Sequence, residues 1–140
     1  MAIKNYSTTI DAKKTVGEIQ EILAAHGAKS VMLNYGADKQ PCAILFVAET
    51  PIGDRMFKLP ANIEAFQAVM QRQRVKCDRG QATRVAWRNI KDWISAQMAL
   101  LETQMVRFDE IFLPYMTDKT GATVYQLYEK NLLPLLEDGQ

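Results

Sequence analysis

Arg84, Arg88 and Lys91 are spaced four and then three residues apart, and Trp87 stands between them. On a helix this spacing gathers the three cations within about 40° of one another, with the indole at their border. Guanidinium and ammonium groups bind phosphate oxygens, and a planar aromatic beside them stacks on a base. The quartet therefore suits a free nucleotide or a single strand of nucleic acid. Arg79 is expected to close the site together with Arg84, and Lys58, on the wet face of an expected strand, to reach the same pocket. A competing reading makes these residues structural. Arg88 then pairs with Asp92 at i,i+4, Trp87 and Trp93 fill the core, and the remaining cations solvate a helix connection.

The formal net charge is only +1, but it is unevenly spread. Between Arg72 and Lys91 there are seven cations and one acid, Asp78, a net of +6, so the rest of the chain carries −5. From Glu102 onward seven acids, among them Asp118, Glu129, Glu137 and Asp138, face three cations. So small a total charge does not steer the whole molecule toward a polyanion.

Other chemistries lack their partners. His26, the single histidine, precedes Gly27 at the end of an expected helix, where an imidazolium favours the helix dipole. Asp109 and Glu110 are adjacent and point apart, so they do not make a two-metal site. Lys119-Thr120-Gly121 matches a fragment of the penicillin-binding-protein signature, but no S-x-x-K accompanies it, and a P-loop would need a further glycine upstream. Tyr115, Tyr125 and Tyr128 have no histidine or lysine at a motif spacing and are assigned to packing. Cys42 and Cys77 have neither zinc nor disulfide-framework spacing and are expected to be reduced thiols. No catalytic residue, metal or cofactor is expected. The seven methionines, including Met98 and Met105, read as core filler or a subunit seam.

The elements that position these residues are read from periodicity and breakers. Thr15 and Glu18 have capping-box spacing, Ile19, Ile22 and Leu23 recur at helical intervals, and Gly27 supplies a stop. Residues 31–35, 43–47 and 55–59 read as three sequential strands joined by short turns, with a weaker fourth strand over 6–10. From the expected N-cap Asn62 the period changes to 3.6, with Ile63, Phe66 and Met70 on one face. The longest helix is predicted over about 81–105, because no proline or glycine interrupts an apolar band from Ala86 to Met105. Pro114 breaks the helical pattern beyond it, and Val124, Leu127, Tyr128 and Leu132 give a short last helix ending before Pro134. Strands first and helices second predict an α+β fold, a small antiparallel sheet from the N-terminal half covered by helices.

With 140 residues, 48% of them hydrophobic, the chain reads as a single domain over 1–140. No apolar run is long enough for a membrane span, and the first residues lack the apolar stretch of a signal peptide, so a cytoplasmic location is expected.

The succession Ala86-Trp87-Arg88, Lys91-Asp92-Trp93, Ala96 to Leu100, Glu110 and Phe112 to Met116 resembles a family of small bacteriophage and prophage proteins. The helix near Thr15, Phe57-Lys58-Leu59-Pro60 and the final helix carrying Tyr125 and Tyr128 are similar as well, so the resemblance covers most of the chain. It implies a phage origin and an accessory role in infection, replication or evasion of host defence. It carries over no catalytic residues.

Three functions compete. In the first, the protein is a non-catalytic sponge for a nucleotide-like host immune signal, in the host cytoplasm. Arg88 and Lys91 would then contact phosphate and Trp87 would stack, at a site completed by a homo-oligomer. In the second, the same residues form an open groove for single-stranded nucleic acid in phage replication or recombination. In the third, the acidic C-terminal part occludes a host protein.

Overall fold

A computed structural model of the chain describes residues 1–132. Helix α1 (Ala12–Ala25) starts at Asp11, whose carboxylate accepts the Lys13 backbone N–H at 2.9 Å. Its cap therefore lies four residues before Thr15, the expected one. Thr15 is instead a buried helical residue, and Glu18 turns toward a neighbouring helix. Ala12, Val16, Ile19 and Leu23 form one buried stripe, and Gly27, at φ +115°, turns the chain into the sheet.

Strands β1 (Ala28–Tyr35), β2 (Pro41–Thr50) and β3 (Gly53–Pro60) form an antiparallel meander in the order β1-β2-β3. Each expected strand is present and longer than the apolar run that marked it. Segment 6–10 is not a strand. Its carbonyls at Tyr6 and Thr8 accept from the Gln81 side chain at 3.0 and 2.9 Å, so helix side chains satisfy its backbone instead of a sheet ladder. Ile44, Phe46 and Ala48 of β2 point into the core, facing Leu59 and Phe57 across the ladder. The Phe46 and Phe57 rings stack 5.4 Å apart.

Helix α2 (Ile63–Arg72) is capped by Asn62, whose side chain accepts from the Ala65 N–H at 3.1 Å, as its sequence predicts. The long helix α3 (Arg79–Glu102) begins two residues earlier than expected because Asp78 caps it through the Gln81 N–H at 2.8 Å. It ends three residues earlier, since Gln104 takes φ +65° and leaves Met105 beyond the helix and exposed. Helix α3 packs against α1 and α2, and Ala82, Val85, Ala86, Trp87, Ile94 and Met98 are buried.

Helix α4 (Phe108–Phe112) sets Phe108 and Phe112 edge-on to Phe46, and a 3-10 turn over Leu113–Tyr115 comes next, at Pro114. Helix α5 (Val124–Leu127) continues into a π-helical turn, Tyr128–Leu132, while Pro134, Glu137 and Asp138 lie outside the described residues. The fold is α+β, with one face of a three-stranded antiparallel sheet covered by helices.

Candidate functional site

The six residues expected to share one site occupy four different places. Trp87 is fully buried, and its indole N–H donates to the Pro41 carbonyl at 3.0 Å. It presents no face to a base, which corrects its expected stacking role. Helical phase set it at the polar border, but the start of β2 lies against that border and turns it into core.

Arg88 and Lys91 converge on Glu18 of α1, at 3.2 and 3.5 Å. Arg88 also donates to the Thr15 hydroxyl at 3.3 Å. Their charges are spent joining two helices, so they are not poised for phosphate. Asp92, which the structural reading paired with Arg88, instead accepts from Asn5 and pairs with Lys4, both at 3.0 Å. The hydrogen bond from Asn5, with Lys4 beside it, holds the Asp92 carboxyl below the usual carboxylate range.

Arg79 bonds Asp38 in the β1–β2 turn at 3.0 Å and Glu64 of α2 at 2.9 Å. A backbone N–H from Gln40 and then Arg79 lower the Asp38 pKa. Arg84 donates twice to the Gln81 side-chain carbonyl, at 2.9 and 2.7 Å, and lines a shallow polar hollow with Lys13, Asp38 and Arg79. Arg79 and Arg84 therefore line one hollow, and the Trp87 quartet does not form around them.

Lys58 reaches none of these residues. It lines a separate cleft of about 660 Å³ between β3, the 3-10 turn and α5, where Tyr115, Tyr125, Gln126 and Glu129 also lie. The cleft walls combine two tyrosines and two prolines with the polar Thr123 and Gln126, one cation and one carboxylate. Lys58 takes part in no ion pair among the described residues. Tyr125 is 54% exposed, with its ring 6.1 Å from that of Tyr128.

Local chemistry fixes the walls of this cleft. The Thr117 N–H donates to the Met56 carbonyl at 2.8 Å and laces the returning chain to β3. Asp118 accepts from the Thr120 N–H at 2.8 Å, the Thr120 hydroxyl at 2.6 Å and the Ala122 N–H at 3.1 Å. These bonds, the Thr120 ones foremost, hold the Asp118 carboxyl below its ordinary pKa. Gly121, at φ +88°, adopts the left-handed backbone that closes the turn. Thr123 and Gln126 then form a reciprocal capping box at 3.2 and 2.9 Å, which aims Tyr125 and Glu129 at the cleft. The T-x-x-Q spacing behind a D-x-T-G turn is the sequence signal for this wall, and assigning the tyrosines to packing passes over it.

His26 lies against α3 at the far end of α1. Nδ1 is 2.7 Å from the Ile22 carbonyl and Nε2 is 2.9 Å from the Glu102 carboxylate, so both nitrogens face acceptors. Glu102 first, then the carbonyl, raise its pKa. The Cys77 thiol donates to the Asp78 carbonyl at 3.1 Å, and burial with the Asp78 charge pushes its pKa up, against a nucleophilic role. Among the described residues no cluster of three or more His, Cys, Asp or Glu can hold a metal ion, and no helix is long and apolar enough to cross a membrane.

Protein-family models, curated proteins and solved structures were compared with the chain, and none matches.

Proposed function

We infer that the protein is a non-catalytic binder of a small nucleotide-like ligand, taken up in the cleft between β3 and α5. The observation that carries this reading is Lys58, an unpaired ammonium among the described residues, in a cleft of about 660 Å³ that Tyr115 and Tyr125 also line. Tyr125 stacks on the base, Lys58 meets the phosphate, and Glu129 accepts from sugar hydroxyls. The resemblance to small phage proteins supplies the biological setting: sequestration of a nucleotide-like host immune signal in the host cytoplasm, without turnover.

A thermal-shift screen against linear and cyclic nucleotides tests it. At 100 times its dissociation constant a one-site ligand adds about 2.7 kcal/mol, a shift of several degrees for a domain of this size. Lys58→Ala and Tyr125→Ala are expected to abolish the shift and Arg88→Ala to retain it. A ligand whose shift depends on Arg88 but not on Lys58 would refute this assignment.

Single-stranded nucleic acid is the second reading. Arg72, Arg74 and Lys76 are exposed in and beside the α2–α3 connection and form no ion pair among the described residues. Oligo-dT affinity that rises with length and falls steeply with salt would favour it.

A further inference from the structure

We propose that the ligand held beside Lys58 carries a single negative charge, as a nucleoside cyclic monophosphate does, and that the cleft disfavours nucleotides with a chain of phosphates. This ligand class rests on the nucleotide reading of the cleft and follows from what the cleft offers an anion. Among the described residues that line it, Lys58 is the one cation and Glu129 the one carboxylate, so the lining carries no net charge.

The neighbours of Lys58 on the sheet bring no further charge. Side chains on one face of a strand recur every second residue, which sets Met56 and Pro60 on the same face as Lys58, and Leu45 pairs with it from β2. Lys119, in the turn after Thr117, and Lys130, in an adjoining hollow with Gln126 and Glu129, do not line the cleft. Lys58 is therefore a lone point charge. It balances one anionic group and lacks the planar fork with which an arginine grips phosphate oxygens in pairs.

The turn in the cleft wall supplies no backbone cradle in its place. From Thr120 to Val124 every backbone N–H already has an acceptor within the chain. The Thr120 and Ala122 N–H groups donate to the Asp118 carboxylate at 2.8 and 3.1 Å, and that of Gly121 to the Asp118 carbonyl at 3.1 Å. The Thr123 N–H donates to the Gln126 side chain at 2.9 Å and the Val124 N–H to the Met116 carbonyl at 2.8 Å. Sites for a run of phosphates present several free backbone N–H groups at once, and this stretch has none to give.

A phosphodiester brings one negative charge, which Lys58 alone satisfies. An open monophosphate brings about −1.5 to −2 at neutral pH, and each further phosphate adds charge that meets Glu129 with no cation to offset it. The two tyrosines and two prolines leave apolar surface for the base and sugar.

Isothermal titration calorimetry of the full chain tests this with adenosine and guanosine nucleotides, each as cyclic monophosphate, open monophosphate and triphosphate, without divalent cations. For the preferred base, the cyclic form is expected to bind about tenfold or more tighter than the triphosphate. Glu129→Gln, at an exposed position, is expected to narrow that ratio several-fold, which a loss of packing alone would not do. A triphosphate bound as tightly as the cyclic form overturns the proposal and leaves the nucleotide reading standing. An unchanged ratio in a folded Glu129→Gln chain does the same, and should that variant not fold, the wild-type ratio decides alone. No binding by any of the forms, or binding undiminished in Lys58→Ala, overturns the nucleotide reading itself and this proposal with it.

Discussion

Arg88 and Glu18 join α3 to α1, with one guanidinium nitrogen 3.4 and 3.2 Å from the two carboxylate oxygens. Both side chains are largely shielded, and Lys91 approaches the same carboxylate at 3.5 Å. A half-buried anion shared by two cations is costly to leave alone, but tolerant of losing one partner. Arg88→Ala is therefore expected to cost about 1–2 kcal/mol, and Glu18→Ala more, because both cations lose their partner. Urea unfolding of the two single variants and the double variant measures the coupling, expected near 1 kcal/mol. Ligand affinity should not change.

Trp87 gives the complementary test. As a buried indole bonded to Pro41, it should behave as core: Trp87→Ala is expected to cost about 3–5 kcal/mol of stability. Trp87→Phe keeps most of the apolar volume but leaves the Pro41 carbonyl without its donor, at about 1–3 kcal/mol. A stable Trp87→Ala protein with selectively lost nucleotide binding would return the indole to the site.

Elements are legible in the sequence where one local cause sets them, and the site is not, because it depends on what packs against what. Asn62 caps α2 as its spacing predicts, and the alternation across 55–59 marks a strand with one wet face. At α1, Asp11 outcompetes Thr15, since the apolar stripe extends upstream to Ala12 and the cap must precede it. Of the cations at 84, 88 and 91, the last two meet Glu18, a residue 70 positions from Arg88 that no spacing on α3 reports. The cleft is equally non-local: Lys58 and Tyr125 line one cleft because Thr117 pairs with the edge of β3.

The His26–Glu102 contact makes stability depend on pH. Because the folded pKa lies above the unfolded value near 6.5, the contribution is fully present below about pH 6.5 and is lost as pH rises through the folded value. Glu102 is exposed, so the size should stay below about 1 kcal/mol. Urea midpoints of wild type and Glu102→Gln are expected to differ at about pH 5.5 and converge near pH 9. A constant difference across that range would show that the imidazolium is not the source.

Asp118 separates the rigidity of the cleft from the stability of the fold. Its carboxylate organises a turn that lines the same cleft as Lys58, and it is exposed and outside the buried core, so its loss should be local. Asp118→Ala is expected to speed hydrogen exchange at Thr120 and Ala122, whose N–H groups lose their acceptor, while the β2 amides keep their protection. The same variant should weaken nucleotide binding several-fold, because a wall that must be ordered on binding costs affinity. Asp118→Lys would act through the turn in the same way, so reduced capture of a host protein by that variant would not by itself identify an acidic docking face. Exchange at Thr120 and Ala122 as slow as in wild type would show that backbone geometry, with Gly121 in its left-handed conformation, holds the turn without the carboxylate.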